Sequence, residues 1–300
     1  MKVLLASDGS SMAINAARFL GELEFDSKLQ LTVLTVSLLP ELSIRGNIQN
    51  PEWDQREREF VASHHAELEG WLAGRCERGF SKLRQTGNAA QAILQVSKRI
   101  VADLIVVGAV GHSVVSRMLL GSVSDNVATH ADCSVLVVRP RGEATSAKVP
   151  ARKISLAYDG SPAAHEAVHE IMSMRWDPGT EMNVVSVAPT YDYLMGDALT
   201  PAVLTDAEME FKRMQDKAEY QAKQIATTLP HTRTQVVSAQ HAGEAIVSVV
   251  DQNQSDLVVL GETGHSRLHD WFLGSTTKYV LRHAPCSVWI SRHHRTAAGE

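Results

Sequence analysis

The chain predicts an α/β fold built twice, as two tandem, doubly wound domains, each around a five-stranded parallel sheet. Three observations carry this reading. Each half alternates strand and helix five times, and its strands are continuous Val, Leu and Ile runs, as expected where helices cover both faces of a sheet. A glycine pattern occurs in both halves: Gly108-Ala-Val-Gly111, nine residues, then Gly121-Ser122, and 153 positions later Gly261-Glu-Thr-Gly264, nine residues, then Gly274-Ser275. The ends of the halves repeat as well. Met1-Lys-Val-Leu-Leu-Ala-Ser-Asp8-Gly9-Ser10 returns as Lys153-Ile-Ser-Leu-Ala-Tyr-Asp159-Gly160-Ser161, and His130-Ala-Asp-Cys133-Ser-Val returns as His283-Ala-Pro-Cys286-Ser-Val. A period near 150 is that of a whole domain, not of a solenoid unit.

The first half opens with an apolar strand at Val3–Ala6, a turn at Asp8-Gly9, and a helix from Ser11 to Leu20 with Ser10 as its N-cap. Ser161-Pro162 marks the matching start more sharply, with a capping hydroxyl directly before a proline at the first helical position. A second strand is expected at Leu31–Val36 and Val184–Val187, followed by a polar connection and a long amphipathic helix at Pro51–Arg78 and Pro201–Leu229. The Glu and Arg residues between Glu52 and Arg58 fit a solvated helix face with i,i+4 pairs. A short third strand should precede Gly87 and Gly243, then a helix at Ala89–Ile100 and Glu244–Asn253. The runs Asp103–Val107 and Asp256–Leu260 form the fourth strand, Ser122–His130 a helix, and Ser134–Val138 the fifth strand. The domains are thus 1–140 and 152–292, joined by a Pro- and Gly-containing linker at 141–151 and followed by a flexible tail at 293–300.

Composition bounds the function. The chain has 300 residues, 44% hydrophobic and 21% charged, with a net charge of −5. That acidic balance offers no clustered Lys and Arg for a nucleic-acid backbone or an anionic membrane, so neither is expected as a partner. No apolar run reaches about 18 residues, and the N-terminus is too polar for a signal segment, which points to the cytoplasm. Three cysteines without paired spacing fit a reducing compartment. Cys133 and Cys286 begin apolar strands and read as packed small residues.

The glycines suggest an anion site. Glycine permits positive φ and brings the backbone close to a ligand, so successive N–H groups can face a phosphate. Ser122 and Ser275 open helices whose unpaired amides and dipole favour an anion, and the hydroxyls of Ser124 and Thr277 are further candidate donors. Right-handed crossovers place the loops after the first and fourth strands side by side at the carboxyl edge, so Asp8 and the Gly108 loop should meet. Asp8 and Asp159 also fit Asx-turns, a structural role compatible with a binding one. The adjacent histidines His64-His65 and His293-His294 point about 100° apart on a helix and make poor chelating pairs. His265 and His269 have i,i+4 spacing but no third ligand, and no metal site is expected; with Arg267 they offset Glu262 and Asp270. No Walker A loop, dinucleotide fingerprint, nucleophile elbow or kinase set is present, and neither glycine motif holds a lysine. Efficient phosphoryl transfer is therefore not expected.

The Asp-Gly-Ser turn after the first strand, the Gly-x-x-Gly-x9-Gly-Ser pattern after the fourth and the final Cys-Ser-Val strand together resemble the universal stress proteins, over nearly the whole chain and twice. The resemblance implies a Rossmann-like fold of the adenine-nucleotide alpha-hydrolase type, and ATP accompanied by Mg²⁺ as the ligand. It implies that Asp8 and Asp159 contact the ribose, that the backbone of Val36 and Val187 meets the adenine edge, and that Val107 and Leu260 pack on the base. Gly108 and Gly261 then lie close to the ribose. Gly111, Gly121, Ser122, Val123 and Ser124 in the first half, with Gly264, Gly274, Ser275, Thr276 and Thr277 in the second, surround the phosphates. It further implies a pseudo-twofold dimer within the chain; a homodimer and an unknown protein partner stay open. The expected role is a stress-response protein whose nucleotide occupancy regulates conformation or partner contacts. A weak ATPase or phosphotransferase, and a scaffold that binds no nucleotide, are the alternatives. Because Glu262 and Asp270 stand near the second triphosphate, the first site is expected to bind ATP more tightly.

Overall fold

The computed structural model describes residues 1–26, 28–37, 51–76, 79–110, 120–140, 152–190, 201–264 and 273–292. They form two compact units, one within residues 1–140 and the other within 152–292. The linker at 141–151 and the tail at 293–300 lie outside the described residues, as do Gly111, His265, Arg267, His269 and Asp270.

In the first unit the chain runs through β1 (Lys2–Ala6), α1 (Ser11–Glu22), β2 (Gln30–Ser37), α2 (Pro51–Leu72), β3 (Phe80–Thr86), α3 (Ala89–Ile100), β4 (Leu104–Gly108), α4 (Ser122–His130) and β5 (Ser134–Val138). The sheet order is β5-β4-β1-β2-β3, and every pair is parallel. The second unit repeats the plan with β6 (Lys153–Ala157), α5 (Pro162–Met172), β7 (Glu181–Pro189), α6 (Pro201–Ala226), β8 (His231–Ala239), α7 (Ala242–Gln252), β9 (Leu257–Gly261), α8 (Ser275–His283) and β10 (Ser287–Ser291). Its order is β10-β9-β6-β7-β8, again all parallel. No described helix is long and apolar enough to cross a membrane.

The central strands are apolar because they are covered on both faces. Val3, Leu4, Leu5, Leu104, Ile105, Val106, Val135, Leu136 and Val137 have no solvent exposure. α1 packs on β4 and β5, while α3 packs beside α4 on the other face. Burying each such side chain contributes about 1.5–3 kcal/mol. The third strand is expected to be short. β3 and β8 instead run for seven and nine residues. Both are edge strands with partly exposed side chains, and edge charges such as Lys82, Arg84 and Arg233 keep a free ladder from pairing further.

Helix starts follow the expected chemistry. The Ser10 and Ser161 hydroxyls accept from the amides of Ala13 and Ala164, each at 3.2 Å. Asn88 caps α3 in the same way, accepting from the Gln91 amide at 3.0 Å. α2 stops at Leu72, earlier than its periodicity predicts, and passes into a 3₁₀ turn at Ala73–Arg75.

Close approach explains two motif glycines. A Cβ on Gly108 would lie 3.0 Å from the Met12 carbonyl in α1, and one on Gly261 would lie 2.7 Å from the Ala163 carbonyl in α5. Gly261→Ala is therefore expected to destabilise the second unit by about 1–3 kcal/mol through overpacking. Gly70→Ala, at an open position of α2, is expected to stabilise by about 0.5 kcal/mol. Urea unfolding of both variants beside the parent chain checks the pair.

Candidate functional site

In each unit β1 and β4, or β6 and β9, lie next to each other, so the segments leaving their carboxyl ends start side by side. β1 pairs with β4 from Val3↔Leu104 to Leu5↔Val106, and β6 pairs with β9 from Ile154↔Leu257 to Leu156↔Val259. The chain thus leaves β1, toward Asp8, beside the end of β4 at Gly108. In the second unit the approach is direct: a Cβ on Gly264 would sit 2.9 Å from Asp159 Oδ2.

The aspartates shape the turn on which they stand. Asp8 Oδ1 accepts from the Ser10 amide at 3.0 Å and Asp159 Oδ1 from the Ser161 amide at 2.8 Å. Gly9 and Gly160 follow with φ of +78°, a conformation that glycine takes without a Cβ penalty. The described motif glycines do not have positive φ, which corrects the expectation placed on them; that role belongs to the Asp-Gly turn. Val36 is the next-to-last residue of β2 and Val187 lies near the end of β7, both half-buried. Val107 and Leu260 are buried, each 3% exposed.

The glycine loops close on themselves. The Gly121 amide donates to the Ala109 carbonyl at 2.7 Å, and the Gly274 amide to the Glu262 carbonyl at 2.8 Å, so these two N–H groups are engaged. Gly121 and Gly274 are the N-cap residues of α4 and α8 and provide no capping side chain. The first-turn amides of Ser122, Val123 and Ser124, and of Ser275, Thr276 and Thr277, are therefore left without the cap that Ser10, Asn88 and Ser161 provide elsewhere. Ser124 and Thr277 need a correction. Their hydroxyls donate to the Gly108 carbonyl at 2.6 Å and the Gly261 carbonyl at 2.8 Å, and both residues are 4% exposed. They tie the helix start to the strand end; any anion contact from these two residues comes from the main chain.

The electrostatic asymmetry expected from Glu262 also changes. Its Oε2 accepts from Arg292 Nε at 3.1 Å, and Arg292 is 4% exposed, so the carboxylate is charge-compensated within its own unit. Among the described residues no group of three His, Cys, Asp or Glu side chains forms a metal site. Cys133 and Cys286 are buried and in no disulfide, consistent with packing roles.

Behind the Asp8 turn, both adjacent histidines of α2 are buried. His64 and His65 are 6% and 3% exposed. His64 Nε2 lies 2.7 Å from Ser7 Oγ and His65 Nε2 lies 2.9 Å from Thr35 Oγ1. The Thr35 hydroxyl already donates to the Ser7 carbonyl at 2.8 Å, so His65 donates from Nε2 and titrates at Nδ1. The signal was the helical stripe Val61, His64, His65, Leu68 and Leu72, all buried, in which both imidazoles share the core-facing arc. Equivalent places in α6 hold Gln221 and Ala222.

Burial pushes the His65 pKa down to about 4, with His64 and Lys82 acting in the same direction. Burial also lowers that of His64, opposed by Glu67 and Asp8. The unfolded chain takes up the His65 proton from about pH 6.5, whereas the folded chain resists it until about pH 4. Stability is accordingly expected to fall as pH drops through that window, by on the order of 3 kcal/mol. Denaturant midpoints from pH 7 to 4 check this, and His65→Gln is expected to flatten the dependence relative to the parent chain.

The comparisons with known proteins agree with this geometry. The sequence profile of the universal stress protein family matches residues 1–139 and again 150–292. Universal stress protein YxiE of Bacillus subtilis is 32% identical over 145 residues, covering 46% of this chain and 98% of its own. A universal stress protein of Thermus aquaticus is 30% identical over 143 residues, covering 47% and 98%. The crystal structure of a universal stress protein from Archaeoglobus fulgidus superposes with a TM-score of 0.60 at 18% identity, covering 97% of this chain and 96% of that one. Two matched domains, each with the parallel sheet, the Asp-Gly turn and the glycine loop, place the chain in the universal stress protein family.

Proposed function

We propose that each unit binds an adenine nucleotide, ATP first among them, and that occupancy regulates conformation or partner contacts in a stress response. The observation that carries this is the pair of uncapped helix starts at Ser122–Ser124 and Ser275–Thr277, which, unlike the uncapped start of α7 at His241, follow a glycine loop at the carboxyl end of the fourth strand. A helix N-terminus with free amides and about half a positive charge attracts a phosphate. The residues fit the ligand. A glycine loop with no Cβ at Gly264 leaves the Asp159 carboxylate close to the backbone, and Val36 and Val187 present half-buried strand ends for a base edge. Mg²⁺ arrives with the triphosphate as its counter-ion.

The chain's own residues set the limits of its chemistry. Neither helix start carries a lysine in its loop motif, and no described constellation orients a nucleophile toward a γ-phosphate, which favours a binding role over efficient turnover.

Equilibrium titration of the full chain with ATP tests the reading; absence of binding at millimolar nucleotide overturns it. The variant Gly121→Asp/Gly274→Asp sharpens the test. An N-cap aspartate satisfies the first amides and places a negative charge where the phosphate belongs. ATP affinity is expected to fall by about two orders of magnitude, with the fold retained although a Cβ at Gly274 meets the Glu262 carbonyl at 3.2 Å. A lowered midpoint with retained binding contradicts the assigned role of the helix starts.

A further inference from the structure

The two clefts share a backbone and differ at one lip. In each unit the Asp-Gly turn is covered by a side chain from the long helix. A Cβ on Gly9 would meet the Phe60 ring tip at 2.6 Å, whereas one on Gly160 would meet Lys217 Cδ at 3.3 Å and Nζ at 3.5 Å. Phe60 and Lys217 therefore stand at equivalent places. The buried stripes beneath them confirm the register, since Val61, His64, His65 and Leu68 of α2 correspond to Ala218, Gln221, Ala222 and Ile225 of α6.

The two lips have different chemistry. Phe60 is 48% exposed and stacks on His64, with centroids 6.1 Å apart and planes within 9°. That lip is aromatic and, with His64 held neutral by burial, uncharged near neutral pH. Lys217 is exposed, and its ammonium forms no ion pair among the described residues. It sits over the Asp159-Gly160 turn, whose carboxylate faces Gly264 of the glycine loop. The sequence motif lacks a lysine, but the fold delivers one from a helix more than 40 residues away.

We infer that Lys217 selects ligands by charge at the second cleft, so that this unit discriminates polyphosphate from monophosphate adenine nucleotides more steeply than the first. The inference rests on the nucleotide reading above. An ammonium at the rim attracts a ligand in proportion to its negative charge, and salt screens that attraction. An aromatic lip contributes apolar area and stacking, which are indifferent to the number of phosphates.

Photolabelling of the full chain with 8-azido-ATP, in competition with ATP or AMP and with labelled peptides quantified separately for each unit, reads the two clefts independently. At low salt the ATP-to-AMP affinity ratio is expected to be larger at the second unit, and the difference should shrink at high salt. K217Q is expected to weaken ATP at the second unit by about three- to fivefold, to leave the first unit unchanged, and to affect AMP less than ATP; K217R should retain the parent ratio. F60K should steepen the ratio at the first unit. Saturable labelling of both units with an unaltered ratio in K217Q overturns this inference alone. Labelling that saturates at neither unit overturns the nucleotide reading and this inference together.

Discussion

The close contact between a strand end and the helix that follows the first strand is the constraint on which each unit depends. Gly108 in β4 and Gly261 in β9 have carbonyls of α1 and α5 standing where a side chain would begin. Because these helices lie so near the sheet, the Asp-Gly turn that leads into them is drawn to the mouth of the fourth-strand loop. The same glycines then accept a hydroxyl hydrogen bond from Ser124 or Thr277. One residue without a side chain thus organises three segments: the strand it ends, the helix lying on it, and the helix that begins after the glycine loop.

Helix starts differ in their capping, and α7 too begins without a side-chain cap, at His241. α1, α3 and α5 begin with a side-chain oxygen on a first-turn amide, which stabilises each by about 1 kcal/mol. α4 and α8 begin at glycines with no such oxygen, and both open onto the cleft. The glycine-loop amides at Gly121 and Gly274 close the loop, so the donors that remain lie on one short, rigid arc of backbone. That arc is where the proposed nucleotide reading puts the phosphates.

Duplication preserved this backbone and allowed the polar layer behind it to diverge. In the first unit Ser7, Thr35, His64 and His65 form a buried network that joins β1, β2 and α2. In the second, Tyr158 replaces Ser7, its carbonyl accepts from the Ser186 hydroxyl, and its ring meets His165 edge-on at 5.4 Å between centroids. Both networks hold the residue before the aspartate. Only the first does so with buried imidazoles, whose neutral form is required for burial. Identical folds therefore carry unequal responses to acid and unequal charge at the cleft.

Much of this protein was legible in its residues. Period and apolar runs determine the fold class, the strand and helix order and the five parallel strands, because burial on both faces demands unbroken Val, Leu and Ile. Ser10, Ser161 and Pro162 mark helix starts because capping is local chemistry, and the Asp-Gly-Ser turn and glycine loops mark the cleft for the same reason. Tertiary structure alone decided what each side chain does there. The hydroxyls of Ser124 and Thr277 turn to strand carbonyls, Glu262 finds the buried Arg292, His64 and His65 both reach the core, and Lys217 or Phe60 covers the turn. These partners come from segments distant in the chain, and a one-dimensional pattern records spacing along the backbone but not which groups the packing brings within hydrogen-bond reach.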